Sequence, residues 1–154
     1  MREPVTIMKT AQAMNYKPNF YGLGPTTDKR VGLLAGEAGE GFITAYWAFH
    51  PESNNSGPEF YRELCDKNNV PAKMRGLYHY YGFATAVVLV EGLKRAGKNL
   101  NRKRFINALE NLKNWESGVF PPITYSRNDH AGVESVMLLQ LQSGKQVEIS
   151  DWLN

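Results

Sequence analysis

Cysteine is nearly absent from these 154 residues: Cys65 stands alone, which excludes an intrachain disulfide framework and any cysteine-rich zinc site. Histidine is scarce too. His50, His79 and His130 are the only three, none three or four residues from another, so no helical pair of metal ligands exists. Long apolar runs are also missing. The longest, Phe83 to Val90, stops at Glu91, far short of the roughly 20 residues that a membrane-crossing helix needs. No charge of one sign dominates: the formal net charge is +3, which does not demand a polyanionic partner. There is no internal repeat, no Gly-x-Ser-x-Gly elbow, and no apolar signal core behind Met1-Arg2-Glu3-Pro4.

What remains is a globular composition, 42% hydrophobic and 12% aromatic, enough for one domain or two small ones sharing a core. Ile7, Met8, Ala11 and Met14 recur at helical spacing until Pro18. Residues 19–23 read as a short strand running into Gly24-Pro25-Thr26-Thr27-Asp28, a loop of turn residues. Asp28 is suited to cap a short helix through Leu34, and Gly41 to Phe49 reads as a second strand. The stretch from His50 to Pro58 has linker composition, and Phe60, Leu64 and Cys65 predict a helix ending near Asn68-Asn69. A longer helix is predicted from Leu77 to Ala96, with Gly97 as terminator and an all-round apolar middle, Ala84 to Val90, expected to be buried on several faces. Asn101 caps another, whose stripe of Phe105, Ile106, Leu109 and Leu112 is expected to be buried at about 1.5–3 kcal/mol per side chain. Beyond Trp115 the pattern turns to strands, with 133–142 and 146–149 pairing as a hairpin across Ser143-Gly144-Lys145. The helices from 58 to 113 fit either an α-bundle or one face of a sheet supplied by sequence not present here.

Several groupings of polar residues suggest chemistry at first sight. Glu37 and Glu40 share a helical face, which by itself is a solvated terminus more often than an acid–base pair. Asp129, His130 and Ser135 are close in sequence, but a triad is made by geometry rather than proximity. Cys65 has acidic neighbours, Glu63 and Asp66, that disfavour a thiolate. Six cations from Lys94 to Arg104 have no interleaved aromatic for base stacking and read as two solvated helix ends, so no nucleic-acid partner is expected. Tyr78, Tyr80, Tyr81 and Phe83 fit a phenol-lined pocket as well as they fit core packing. No nucleophile, acid–base pair or cofactor loop stands out, so neither an enzyme nor a cofactor is expected.

The order of motifs along the chain resembles a known family. Gly36-Glu37-Ala38-Gly39-Glu40-Gly41 is followed by Tyr81-Gly82-Phe83-Ala84-Thr85-Ala86 and Leu93-Lys94-Arg95-Ala96-Gly97. Next come Arg104-Phe105-Ile106-Asn107-Ala108-Leu109-Glu110, Pro122-Ile123-Thr124-Tyr125-Ser126, Asp129-His130 and Ser150-Asp151-Trp152. In that order and spacing the sequence resembles the C-terminal portion of type I periplasmic binding proteins, in the leucine/isoleucine/valine-binding branch that serves ABC importers.

The resemblance implies a partial α/β flytrap fold, a parallel sheet flanked by helices plus a C-terminal β-hairpin. It assigns residues 1–49 and 118–154 to the C-terminal lobe and residues 50–117 to helices of the N-terminal lobe. The sheet beneath those helices, and a signal peptide, would then lie in sequence outside this chain. The implied setting is periplasmic or extracytoplasmic, with ABC importer membrane subunits as partners and self-association through the surface left exposed. The implied ligand is a small solute held in a cleft between lobes by Leu23, Gly24, Pro25, Thr26, Thr27, Tyr81 and Phe83. The family's cleft tyrosine falls on Phe83, and the acidic residue that grips an amino group is expected near Pro25 or Thr26, leaving Asp28 as the substitute. Those departures widen the expected ligand from branched-chain amino acids to amides, aromatic acids and other small organic solutes. Alternatives are a ligand-sensing domain of a receptor or regulator with the same fold, and a self-contained helical interaction module. The isolated chain is expected to bind ligand weakly or not at all.

Overall fold

Asp28 shows how local chemistry builds this fold. Its carboxylate accepts from the Arg30 backbone N–H at 2.9 Å, satisfying an orphan donor at the start of a helix. In the computed structural model, which describes residues 2–154, that helix is α2 (Lys29–Ala35), after α1 (Arg2–Ala13) and β1 (Tyr21–Gly22). There follow β2 (Ile43–Tyr46), α3 (Ser56–Lys67), α4 (Leu77–Ala96), α5 (Arg102–Glu110), β3 (Met137–Gln142) and β4 (Lys145–Glu148). The chain divides into two compact units: residues 1–47 with 135–154, and residues 48–134.

The first unit carries a four-stranded mixed sheet in the order β1-β2-β3-β4. Only β1 and β2 are parallel, with Tyr21 opposite Ile43 and Gly22 opposite Thr44, whereas β3 runs antiparallel to both β2 and β4. Alternation buries Thr44 and Tyr46 of β2 and Met137, Leu139 and Leu141 of β3, as a half-covered antiparallel pair requires. Leu141 joins Val5, Met8, Val31, Ala35 and Phe42 in the core under α1 and α2. The hairpin turns at Ser143 and Gly144, both at positive φ, as a tight two-residue connection demands.

In the second unit, α3 begins at Ser56, so the last three residues of the predicted linker form the helix's first turn. Proline is tolerated there because its missing N–H would have no helical partner anyway. Arg62 holds the preceding loop by donating to the carbonyls of Pro51 (2.6 Å) and Ser53 (2.9 Å). Helix α4 has the predicted bounds, ending at Gly97 with φ 73°. Burial departs from expectation. Within the apolar stretch from Ala84 to Val90 only Ala84 is buried, while Leu89 and Val90 stay 48% and 46% exposed. One flank of α4 packs on Tyr61 through Tyr80 and Phe83; another meets α5, where Gly92 lets Phe105 and Leu109 approach. The remaining flank, Gly82, Ala86, Leu89, Val90 and Leu93, is exposed, its three large side chains by 38–48%. Helix α5 buries no residue completely; of its predicted stripe only Leu112, beyond the helix, is fully enclosed.

The expected lobe boundaries at 49/50 and 117/118 stand beside observed ones at 47/48 and 134/135. Backbone pairing holds residues 118–125 to the helical unit: Phe49 N–H to Val119 O, Gly57 N–H to Gly118 O, Tyr125 N–H to Leu112 O, and a Trp115–Ile123 bridge.

Candidate functional site

Parallel pairing gives β1 and β2 the same direction, so the segments following both leave from the same end of the sheet, the carboxyl ends of these strands. At that end open α/β sheets take up ligands. After β1 the chain bends into a 3₁₀ turn, Gly24–Thr27, with Pro25 supplying a preset φ in its first turn. The Thr26 N–H and Oγ1 both donate to Leu23 O (2.8 and 2.7 Å), and Thr27 Oγ1 donates to Gly24 O at 2.6 Å. The turn is seated on Trp47, just past β2: a Cβ on Gly24 would stand 1.9 Å from the indole Cζ3. Sequence reasoning passed over Trp47, although a tryptophan directly after an apolar strand was the available signal.

Of the residues expected at the site, Leu23 and Pro25 are exposed, Thr26 is half-buried, and Gly24 and Thr27 are buried. With their protons given to carbonyls, both threonine hydroxyls retain acceptor capacity only. Asp28 does not serve as the substitute acid. Its side chain is fully buried, and Arg30 takes both carboxylate oxygens at 2.7 and 2.8 Å. A carboxylate so paired has no edge left for a ligand ammonium.

Tyr81 and Phe83 lie on α4 in the other unit. Two residues apart on a helix, they project to nearly opposite sides. Tyr81 meets Tyr78 edge-on at 6.3 Å, whereas Phe83 packs with Tyr61 at 5.3 Å and with Phe60 and Tyr80 at 5.9 Å each. Phe83 therefore belongs to an aromatic cluster, and the two rings cannot line one face together. Tyr61 extends that cluster through a 2.9 Å hydrogen bond between its hydroxyl and His79 Nδ1. Burial, then the neighbouring Cys65, pushes the Tyr61 phenol well above its ordinary range, and burial does the same to Tyr80.

None of three hollows among the described residues is lined by the expected site residues. One of about 370 Å³ is lined by Ile106, Leu109, Glu110, Tyr125 and His130. Another, about 340 Å³, shares Leu109 and Tyr125 and adds Thr85, Val88, Leu89, Phe105 and Phe120. The third, about 300 Å³, lies in the sheet unit between α1 and the Gly36–Gly39 turn. The other weighed groups are engaged elsewhere: Glu40 accepts from Ser143 N–H, Asp129 from Ala131 N–H, and Ser135 donates to Asn154. Among the described residues no three His, Cys, Asp or Glu side chains converge on a metal position.

The sequence profile of a family described as periplasmic binding protein matches residues 2–146. The chain belongs to that family. Its fold agrees: 97% of the chain superposes with a TM-score of 0.89, at 21% identity, on 43% of a branched-chain amino acid ABC transporter protein from Thermus thermophilus solved with bound valine. A possible leucine/isoleucine/valine-binding protein from Rhodopirellula baltica matches 95% of the chain over 39% of its own, TM-score 0.81 and 18% identity. A fatty acid ABC transporter substrate-binding protein from Thermomonospora curvata matches 98% over 40%, TM-score 0.75 and 18% identity. The chain thus spans about two-fifths of the length of these binding proteins. No curated protein matches it. Among the described residues no helix is long and apolar enough to cross a membrane.

Proposed function

We propose that this chain is the C-terminal portion of an extracytoplasmic substrate-binding component of an ABC importer, taking a branched-chain amino acid or a related small organic solute. The observation that carries the reading is family membership over residues 2–146. The site geometry adds support: the Leu23–Thr27 turn follows the carboxyl end of β1, where α/β folds receive ligands. Leu23 and Pro25 offer apolar contact there, and Thr26 Oγ1 offers an acceptor to an N–H donor. Tyr81 of α4 is the residue of the helical unit proposed for ligand contact.

Because Asp28 is closed off by Arg30, the loop itself has no carboxylate for an amino group. Amides and aromatic acids therefore stand beside valine and leucine as ligands. The membrane subunits of the importer are the partners, reading a ligand-induced change in the binding component. Self-association through the exposed flank of α4 belongs to the same proposal.

Uptake assays in cells lacking the gene test this. Loss of transport for labelled leucine, an aliphatic amide or phenylacetate, restored by the gene, is the expected result. Unchanged uptake of all three, with loss of a transcriptional or chemotactic response instead, would favour a sensing domain of the same fold.

A further inference from the structure

Helix α5 opens on three cations and no acid: Arg102, Lys103 and Arg104 fill its first turn behind the Asn101 cap. That turn is the positive end of the helix dipole, where Asp or Glu stabilises and a cation destabilises. No ion pair among the described residues offsets the cost, and all three side chains are exposed. Lys94, in the last turn of α4, and Lys98, just past it, are exposed and without an ion pair as well. Only Arg95 meets an acid, Glu91, at 2.6 Å. Packing gathers these charges. Helices α4 and α5 meet where Gly92 admits Phe105 and Leu109, and the short connection from Gly97 to Asn101 makes them a hairpin. Both groups of cations therefore stand at the hairpin's tip, with Leu100, 52% exposed, in the connection between them.

The sign of the charge selects an anionic partner. An exposed leucine amid cations suits a lipid, whose acyl chains take up an apolar side chain. It does not suit a nucleic acid, because residues 94–104 hold no aromatic on which a base could stack. We propose that the tip of the α4–α5 hairpin docks peripherally on an anionic lipid bilayer, its cations among the headgroups and Leu100 at the acyl boundary. The tip lies wholly within the helical unit, so this docking stands or falls apart from solute uptake and from the Leu23–Thr27 loop.

Co-sedimentation of the full chain with vesicles tests it. Binding is expected to vesicles of equal parts phosphatidylglycerol and phosphatidylcholine at about 0.1 M salt, and not to phosphatidylcholine alone. Release is expected at about 1 M salt, where the screening length falls from about 10 Å to about 3 Å. Arg102→Glu with Lys103→Glu should lower vesicle binding at least about tenfold while raising the melting temperature, because acids suit that helix end. Leu100→Ser should weaken binding about threefold. Lys9→Glu with Lys17→Glu, at exposed positions of the sheet unit, changes the net charge equally and should keep binding within about twofold. The proposal is overturned by no binding to the mixed vesicles, equal binding to phosphatidylcholine, or capture of a short DNA duplex in place of vesicles. Undiminished binding by the α5 or Leu100 variant, a lower melting temperature in the α5 variant, or an equal loss in the sheet-unit variant also overturns it.

Discussion

At the scale of single residues, Gly24 is the most constrained position of the candidate loop. Its missing side chain is what lets the turn settle on the indole of Trp47. Gly24→Ala forces ring or turn to move and is expected to cost about 1–3 kcal/mol, read as a lower urea midpoint. Tyr80 presents the opposite case. It is fully buried, and its hydroxyl has no hydrogen-bond partner among the described residues. Tyr80→Phe removes an unsatisfied group and should stabilise the chain by up to about 1 kcal/mol at neutral pH. The pH dependence has a definite sign. Burial raises the folded phenol above its ordinary value, so unfolded chains ionise first, near pH 10. The associated stability is intact below that pH and is lost as pH rises toward the folded value. Tyr61 shifts in the same direction, so the Phe variant should lose less stability than the parent above pH 10, but still lose some. Chemical denaturation at pH 7 and above pH 10 measures both effects. Identical alkaline losses in the two proteins would contradict the buried phenol.

Among the elements, α4 was legible in the sequence to its end residues, because Leu77 opens an apolar run and Gly97 supplies the positive φ that closes it. The hairpin was legible from alternation on both sides of Ser143-Gly144, but its first strand begins at Met137 rather than at 133 and its second runs Lys145–Glu148 rather than 146–149. Strand β1 was not: five residues were expected and only Tyr21 and Gly22 pair, since a strand's length is set by its neighbour in space. Periodicity also says where apolar side chains lie without saying which are covered. Leu89 and Val90 of α4, expected to be buried, are nearly half exposed. The same gap affected the site. Asp28 was readable as a cap, but its capture by Arg30 depends on side-chain geometry that spacing does not encode. Exposed leucines and a valine on one helical flank make a definite prediction about association. Leu89→Lys with Val90→Glu should leave the circular dichroism unchanged while lowering the sedimentation-average mass. A parent chain that is already monomeric at high concentration would refute that role for the flank.

On the scale of the whole molecule, the chain spans 43% of the valine-bound Thermus thermophilus protein it superposes on. Ligand pockets enclose most of a small solute's surface, and the affinity they reach depends on that enclosure. By itself the chain is therefore expected to bind leucine, phenylacetate or an aliphatic amide more weakly than micromolar, as measured by isothermal titration calorimetry. A micromolar dissociation constant for any of them would show that these residues suffice. The two-unit division has a further consequence during synthesis. The Glu40 carboxylate waits for the Ser143 amide across 103 positions of sequence, and the Gly57 amide for the carbonyl of Gly118. Residues 48–134 must therefore follow β2 before β3, its antiparallel partner, becomes available. Until then the β2 edge stays open to the wrong neighbour, and the sheet unit is complete only once residues 135–154 have joined it.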